Sequence, residues 1–563
     1  MRSQLIRNRL RSNSLTAIPP PTTSEDYSLQ LADTAARIVY RSPLPSPNGL
    51  PLFIINAAAL PDAKEADYDA LLPYVLTRLP DEAELLDGRG YEVVFFAGGE
   101  DGGATSTKKD KPRWGWLLQA YNVLTRAMRK RLQKVYIVHE RTWLRIIAGM
   151  FSRIVSPKFR KKVVHVHSLS ALATYIRIED LLIPLSAYLY DRRSSQDIRV
   201  PYAHGKRAFG VKTPLPTSST SLPRLPRVLR EATSFLLMEQ NIKTKGIFRI
   251  NAKAVTVNIL RDAYNRGQKF IVWKEGDTVL TFSHYIEGTG EVMIREIDTA
   301  EGFGLQPAAG LIKRWYAELH EPIFPESSYS HLEASCGSSD LPISAELLHA
   351  IIGVDTEWSP INRTSRLIIN MHLLPLLSKV VQYQDWNQMT AYNLAVCFAP
   401  CLLHGMDAIE DAKVAGIITR ILEAAIENWG PHLSALQGAD DELFEESLRA
   451  PETTADREDD LEESNSQPTS PTRDSQIEGI VMVDNDESDE ELDAKPPLPP
   501  RPEIITSQGR DTETATKRKP APSVRAPPRY STISNRDSIA TQLPAYNSRD
   551  ESAEQLDHLT LGT

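Results

Sequence analysis

Cysteine is scarce in this 563-residue chain, which has three: Cys336, Cys397 and Cys401. Three thiols cannot build a disulfide framework, so the composition points to a reducing, cytoplasmic setting. Long apolar runs are missing as well. With no stretch of about eighteen apolar residues, a membrane-spanning helix is excluded and membrane contact is confined to peripheral association. A positive excess is also lacking. The net charge of -9 argues against a nucleic-acid binder, because neutralising phosphates takes a basic surface. Core-forming material is ample at 41% hydrophobic residues. The polar, proline-rich end of the chain lowers the length-based expectation of three or four domains to about two folded ones.

Residues 1-28 carry Arg2, Arg7, Arg9 and Arg11, no acid before Glu25, and the run Pro19-Pro20-Pro21. They are expected to form a disordered basic arm. From Leu50 onward short β-rich runs alternate with helical stretches. The runs are Leu52 to Ala57, Tyr91 to Ala97, Val135 to His139 and Val163 to His167; the helices are Asp67 to Leu79, Arg113 to Leu132 and Arg141 to Ile154. This alternation predicts an α/β layer with a mainly parallel sheet. Gly98 to Gly103 follows a strand, but its distance from the next helix fits neither a Walker loop nor a dinucleotide fingerprint, so it reads as a surface loop. His165 and His167 share a strand face without a third ligand, and read as sheet or pocket histidines and not as a metal site. Basic residues cluster at Arg126, Arg129, Lys130, Arg131 and Lys134, and again at Lys158, Arg160, Lys161 and Lys162 around Phe159. The second cluster is the candidate membrane-binding patch, since each basic residue near an anionic leaflet adds about 1 kcal/mol. A solvated face is the alternative.

A linker is expected from about Arg192 to Lys206, followed by a mainly helical domain that opens at Phe209. In Leu225 to Gln240, helical spacing buries Val228, Ala232 and Phe235 and turns the charged residues to water. Glu239 to Lys245 reads as a loop, and Lys245-Gly246-Ile247-Phe248-Arg249-Ile250 follows. Gly246 can bend the backbone, Ile247 and Phe248 can anchor it, and Arg249 then points outward at a fixed place. A pinned arginine suits phosphoryl-transfer chemistry in trans; the alternative is a strand end with a surface ion pair. Lys269 to Trp273 and Val279 to Glu296 read as a hairpin-like insertion around Glu287-Gly288-Thr289-Gly290. Pro307 to Pro322 reads as a helix stacking Leu311, Trp315 and Leu319, with Lys313 off that stripe and exposed. A further helix is expected from near Thr390 to about Pro400, with Cys397 and Cys401 as core cysteines. Residues 436-563 pass from acidic runs to a basic, proline-rich end and are expected to be disordered. Within them Pro496, Pro499 and Arg501 fit a Pro-x-x-Pro-x-Arg ligand for SH3 domains, and Leu543-Pro-Ala-Tyr546 fits a WW ligand.

Two resemblances organise these pieces. Lys134-Val-Tyr-Ile-Val-His139, Trp143-Leu-Arg-Ile-Ile147 and Ser156 to His167, in that order, resemble the divergent CRAL-TRIO (lipid-transfer-like) domain, in which Trp143 to Val155 would be a lid over an apolar cavity. Phe209-Gly-Val, Lys245-Gly-Ile-Phe-Arg249, Leu311-Ile-Lys313 with Glu318-Leu-His-Glu-Pro-Ile, and Asn387-Gln-Met-Thr with Asn393-Leu-Ala-Val-Cys-Phe-Ala-Pro look like a RhoGAP domain. The implied architecture is multidomain: an α/β CRAL-TRIO-like domain over 29-200, an all-α RhoGAP domain over 206-435 and a disordered tail. The implied function is activation of GTP hydrolysis by a GTP-bound Rho-family small GTPase. Arg249 matches the arginine finger, Lys313 and Asn393 match GTPase-binding positions, and no cofactor or metal belongs to the chain. SH3 or WW proteins and anionic lipid are further candidate partners; nucleic acid is not. Three departures stand out: Ala252 in place of a glycine, Ala317 in place of an arginine, and Cys401 in place of an asparagine. Ala252 stiffens the loop, whereas Ala317 and Cys401 support the alternative, a catalytically weak GTPase-binding scaffold.

Overall fold

The computed structural model describes residues 18–80, 90–98, 116, 124, 126–139, 157–201, 208–216, 223–281, 301–337, 342–429 and 441–449. The N-terminal region contains α1 (Leu29–Ile38), β1 (Val39–Arg41), β2 (Leu52–Asn56), α2 (Tyr68–Leu76), β3 (Tyr91–Phe96), α3 (Arg126–Arg131), β4 (Leu132–Val138), α4 (Pro157–Arg160), β5 (Val163–Val166), α5 (Leu169–Leu172) and α6 (Leu185–Asp191). The five strands lie in sequence order, β1 antiparallel to β2 and the rest parallel. Ile54, Val94 and Tyr136 stand abreast and are buried. Phe53 and Val93 are buried on the opposite face, where Met128 packs. A parallel sheet covered on both sides needs apolar residues at consecutive positions, which is why β3 reads Tyr-Glu-Val-Val-Phe-Phe without alternation.

Capping sets where the helices begin. Asp67 accepts the amides of Asp69 and Ala70 and starts α2, and Ser28 accepts the amide of Leu31 and starts α1. The expected arm is shorter than 1-28. Tyr27 packs its ring on Tyr74 at 5.5 Å, and the Tyr74 hydroxyl accepts the amide of Ser28, so the chain is engaged before residue 29. The pair α1–β1 was not foreseen, since a three-residue edge strand carries too little pattern. Trp143 to Val155 and Gly99 to Gly103 lie outside the described residues, as do most of Arg113 to Leu132 and all of the expected tail except 441–449.

The second region holds α7 (Arg227–Leu237), α8 (Glu239–Ile242), α9 (Ala254–Arg266), β6 (Val272–Glu275), β7 (Thr278–Thr281), α10 (Leu305–Ala317), α11 (Tyr329–Cys336), α12 (Ala345–Ile352), α13 (Arg363–Ile368), α14 (Leu374–Val381), α15 (Gln384–Asn387), α16 (Ala391–Phe398), α17 (Ala408–Asn428) and α18 (Asp441–Ser447). Among its described residues it is helical apart from the β6–β7 hairpin. That hairpin turns at Gly276, whose φ of 56° suits glycine, and not around Glu287 to Gly290, which are outside the described residues. A π turn over Ile369–Leu373 joins α13 to α14.

Four other expectations are corrected. The charged residues of α7 face inward: Arg227, Arg230 and Glu231 are buried. Arg227 pairs with Glu231 at 2.6 Å and donates to the carbonyls of Gln268 and Lys269, and Tyr264 donates to Glu231 at 2.7 Å. A hydrophobicity pattern cannot distinguish such a fully paired buried ion from a solvated one. Glu239 to Lys245 is not a plain loop, because α8 occupies its first turn. α10 starts at Leu305 and ends at Ala317, five residues before Pro322. The segment after Arg192 is packed: Arg192 pairs with Asp262 of α9, and Ile198 is buried in the main core.

That core is continuous from the sheet to the helices. Gln268 donates from its side chain to the carbonyls of Ile178 and Leu181 at 3.0 and 2.8 Å, and Lys269 donates its amide to the Glu179 carbonyl and pairs with Asp180 at 2.8 Å. Glu301 accepts from Asn56 at the end of β2 and from the amide and hydroxyl of Ser186 in α6.

The tail boundary at 436 is also corrected. α18 buries Phe444 and Leu448 in the main core, and Lys379 of α14 pairs with Glu445 at 2.5 Å. Two isolated apolar residues in an acidic stretch were too few to announce a packed helix. Phe444→Ala is expected to cost about 3 kcal/mol by leaving a cavity, seen as a lower urea midpoint, whereas removing residues 451–563 should leave the midpoint in place. An unchanged midpoint for Phe444→Ala would show that α18 carries no packing energy.

Candidate functional site

The site is a turn between α8 and α9. Gly246 starts it with φ at 73°, and Phe248 continues it with φ at 66°. The positive φ favours glycine at 246, and a Cβ there would also crowd the Ile250 side chain at 3.2 Å. Among the described residues three non-glycines adopt left-handed backbone, and two of them, Phe248 and Gln388, meet here. Such conformations cost energy and persist where surrounding contacts overdetermine them.

Those contacts are identifiable. The Gly246 amide donates to the Asn387 carbonyl at 2.8 Å, and the amides of Arg249 and Ile250 both donate to the Gly246 carbonyl at 3.0 Å. Phe248 is buried, its ring edge-on to Phe398 of α16 at 4.9 Å. Its carbonyl accepts from Lys313 Nζ of α10 at 2.8 Å, and Asn251 Oδ1 accepts from the same ammonium at 3.4 Å. On its other side the turn packs against Leu305, Gln306 and Ala309 of α10 around a small void of about 10 Å³. Arg249 itself is exposed. The motif therefore forms a clamped turn rather than the strand end that was the alternative.

Lys313 departs from the expected exposed position: it is half-buried and tied to the main chain of the turn. Asn393 is half-buried on α16, where its side-chain amide donates to the Gln388 carbonyl at 3.3 Å. Thr390 caps α16 through the Asn393 amide, and the helix ends in a 3-10 turn over Ala399–Cys401. Burial pushes the Cys397 thiol pKa up, opposed by the positive charges of Lys313 and Arg249; burial does the same to Cys401, again opposed by Lys313. Arg249, Lys313 and the Asn393–Cys397 face of α16 thus come together. Cys397 and Cys401, expected as core cysteines, are half-buried and pack against the edge of the main core, while Cys336 is buried in it.

Beneath Phe398 lies Tyr316 of α10, edge-on at 6.1 Å, and beneath that His372. His372 is fully buried between the Thr233 hydroxyl at 2.8 Å and the Tyr316 hydroxyl at 2.6 Å. Burial drives its pKa down to about 3. Of the three departures, Ala252 sits against Gly310 of α10, where an added Cβ would come within 3.3 Å of it; Ala317 is exposed; and the Cys401 thiol points back to the Cys397 carbonyl at 3.7 Å.

In the N-terminal region Lys158, Arg160 and Lys161 are exposed, but Lys162 is not available in the same way. Its ammonium donates to the carbonyls of Lys130 and Leu132 at 3.1 and 2.6 Å, and burial lowers its pKa. It ties the start of β5 to the α3–β4 junction. His165 and His167 are exposed, and among the described residues no group of three metal-ligating side chains comes together. No described helix is long and apolar enough to cross a membrane. Pro496, Pro499 and Arg501 lie outside the described residues.

A family model of the divergent CRAL/TRIO domain matches residues 49–193, and one of the RhoGAP domain matches residues 226–407. The chain joins a divergent CRAL/TRIO domain to a RhoGAP domain. It is 24% identical over 382 residues to Rho GTPase-activating protein gacY of Dictyostelium discoideum, covering 66% of this chain and 45% of that protein. It is 24% identical over 397 residues to human Rho GTPase-activating protein 1, covering 68% and 79%. It is 22% identical over 411 residues to mouse Rho GTPase-activating protein 8, covering 69% and 92%. The chain therefore spans less than half of the Dictyostelium relative and most of the two mammalian ones. Within the RhoGAP domain, sequence reasoning located Arg249, Lys313 and Asn393 but missed Asn387 as a partner of the turn. Its signal was its place at the head of the Asn387-Gln-Met-Thr phrase.

The depressed pKa of His372 fixes a pH dependence. The unfolded chain binds this proton near pH 6.5 and the folded chain near 3, so stability present above about pH 6.5 is lost as pH falls toward 3, by about 1.4 kcal/mol per unit from this group. Urea midpoints of the parent at pH 7 and 5 should differ by more than those of His372→Gln; equal slopes would mean that the histidine titrates normally.

Proposed function

We propose that this chain accelerates GTP hydrolysis by a Rho-family small GTPase, with Arg249 as an arginine finger supplied in trans. The observation that carries the reading is an exposed arginine on a turn whose backbone is clamped on three sides, within the RhoGAP match. Bound GTP hydrolyses slowly while charge developing on the transferring phosphoryl goes uncompensated, and an arginine in trans contributes roughly 10³ to 10⁵ in rate. The planar guanidinium can meet two phosphate oxygens at once. A turn held before the partner arrives needs no reordering at the moment of reaction, which is where preorganised charge gains over water. The chain is an activator, and the hydrolytic chemistry belongs to its partner.

Lys313 acts in this reading mainly by holding the turn, its ammonium already committed to the Phe248 carbonyl. Asn393, with Tyr392 and Val396 exposed beside it on α16, presents the surface that grips the GTPase. The CRAL/TRIO domain is a lipid- or protein-binding module, with Lys158, Arg160 and Lys161 offered to anionic lipid at a peripheral, cytoplasmic membrane face. The tail is a site for SH3 or WW proteins through Pro496, Pro499 and Arg501. A second reading, a scaffold that binds the GTPase with weak stimulation, is favoured by the exposed Ala317, which offers a partner no hydrogen-bonding group.

Arg249→Ala is expected to remove at least a hundredfold of the stimulated rate while affinity for the GTP-bound partner stays largely in place, because the finger's strongest contact forms only as charge develops. Arg249→Lys should fail nearly as badly, and Lys313→Ala should lower rate more than affinity. Affinity and single-turnover hydrolysis, measured over a panel of Rho-family GTPases, decide between the readings: an Arg249→Ala variant as fast as the parent would leave the scaffold. For the basic patch, Lys158, Arg160 and Lys161 changed together to Gln should weaken binding to phosphatidylserine vesicles at low salt and flatten its salt dependence. Unchanged cosedimentation would remove the patch from the membrane.

A further inference from the structure

We propose that Asn387 is a positioning residue for Arg249, the bolt that fixes where the finger turn leaves the domain. The inference rests on the arginine-finger reading above. Asn387 ends α15 and is fully buried. Its main-chain carbonyl accepts from Gly246 at 2.8 Å. Its side-chain amide nitrogen donates to the carbonyl of Ile242, the last residue of α8, at 3.1 Å, and to that of Val380 in α14 at 2.8 Å. Its side-chain oxygen accepts from the Met389 amide at 2.8 Å. One side chain thus joins the element before the turn, a helix of the central bundle and the lead into α16, while its own backbone holds the first residue of the turn.

The chemistry allows few substitutes. Two donors and one acceptor on a short, rigid arm are used together, which an amide supplies and a carboxylate or an aliphatic group does not. Asn387 is followed by Gln388, left-handed with φ at 58°, whose carbonyl takes the Asn393 side chain. The corner Asn387–Gln388 therefore sets the height of Gly246 and the start of α16 together. Since a buried donor or acceptor left unpaired carries its whole desolvation cost, loosening this corner shifts the turn in preference to leaving its groups bare. Arg249 lies three residues beyond Gly246, and its amide hangs on the Gly246 carbonyl. Displacement at Gly246 is passed to the guanidinium through two hydrogen bonds and a strained Phe248, with no contact needed between Asn387 and the partner.

The test uses the full chain with Asn387→Asp, which preserves shape but faces the Ile242 and Val380 carbonyls with an acceptor. The expected result is a maximal single-turnover rate lowered by at least about tenfold with affinity for the GTP-bound GTPase within about threefold, as misplacement of roughly 1 Å can cost 10²-fold in rate. The combination of Arg249→Ala with Asn387→Asp should be no slower than Arg249→Ala alone, since a residue acting through the finger has nothing left to position. Multiplying effects, or rate and affinity falling in step, would overturn the inference and leave Asn387 a residue of general stability. Amide hydrogen exchange on the parent gives a second arm that needs no variant: the Gly246 amide should be protected like a core amide, and exchange at the rate of an open loop would overturn the bolt. The two levels fail differently. Full stimulation by Arg249→Ala sinks the finger reading and this inference with it, whereas a slow Arg249→Ala beside a fully active Asn387→Asp sinks the positioning role alone.

Discussion

The RhoGAP domain is organised around one constraint: the guanidinium of Arg249 must stand outside the protein while its own main chain stays fixed. An exposed side chain has no packing of its own to locate it, so location has to come from the backbone on either side. Here that backbone takes two left-handed residues, Gly246 and Phe248, and each is secured separately. Gly246 is held by a hydrogen bond to Asn387, and Phe248 by its ring on Phe398 and its carbonyl on Lys313. The layers below repeat the same logic, with Phe398 on Tyr316 and Tyr316 on a His372 kept neutral by burial. A side chain with four rotatable bonds gains a defined reach only when its root is this immobile.

The same economy links the two domains. Helix α7, which leads into α8, and α9, which follows the Arg249 turn, are joined by the buried Arg227–Glu231–Tyr264 cluster, and Arg227 also grips the carbonyls of Gln268 and Lys269. Gln268 and Lys269 in turn bind the backbone of residues 178 to 181 in the CRAL/TRIO domain. A buried ion pair of this kind contributes less to net stability than to the uniqueness of the arrangement, and removing one partner alone is costly. The seam therefore does not hang on a flexible linker. Residues 178 to 181 of the CRAL/TRIO domain are thus two hydrogen bonds from Arg227 of α7.

Much of this was legible in the sequence, and the failures share a cause. The four parallel strands were found because doubly covered strands are continuous apolar runs, and α16 because Thr390 is a capping residue ahead of one. Arg249 was singled out because a glycine that bends the chain and two apolar anchors leave the arginine after them at a fixed, outward place. The errors came where a polar residue is buried and satisfied. Arg227 and Glu231 were placed in water, Lys313 was read as free, Lys162 as a lipid contact, and Asn387 was passed over. In each case a partner is a main-chain carbonyl or a side chain from another element, and periodicity carries no information about such partners. Short elements escaped for a different reason: β1 and α18 owe their existence to the surfaces they cover rather than to local pattern.

The three departures from the family phrase can be weighed by where they fall. Ala252 lies after the turn, packed on Gly310 of α10, and its added methyl restricts the backbone between Arg249 and α9 without touching a clamp residue. Cys401 replaces an amide with a thiol that faces the Cys397 carbonyl, so its effect is on the C-terminal end of α16 and not on Gly246 or Phe248. Ala317 is exposed at the end of α10, four residues from Lys313, and alters what a partner could touch there. None of them loosens the root of the finger. The clamp under Arg249 and the surface around it are therefore separate features: the three departures bear on the second and leave the first as it is.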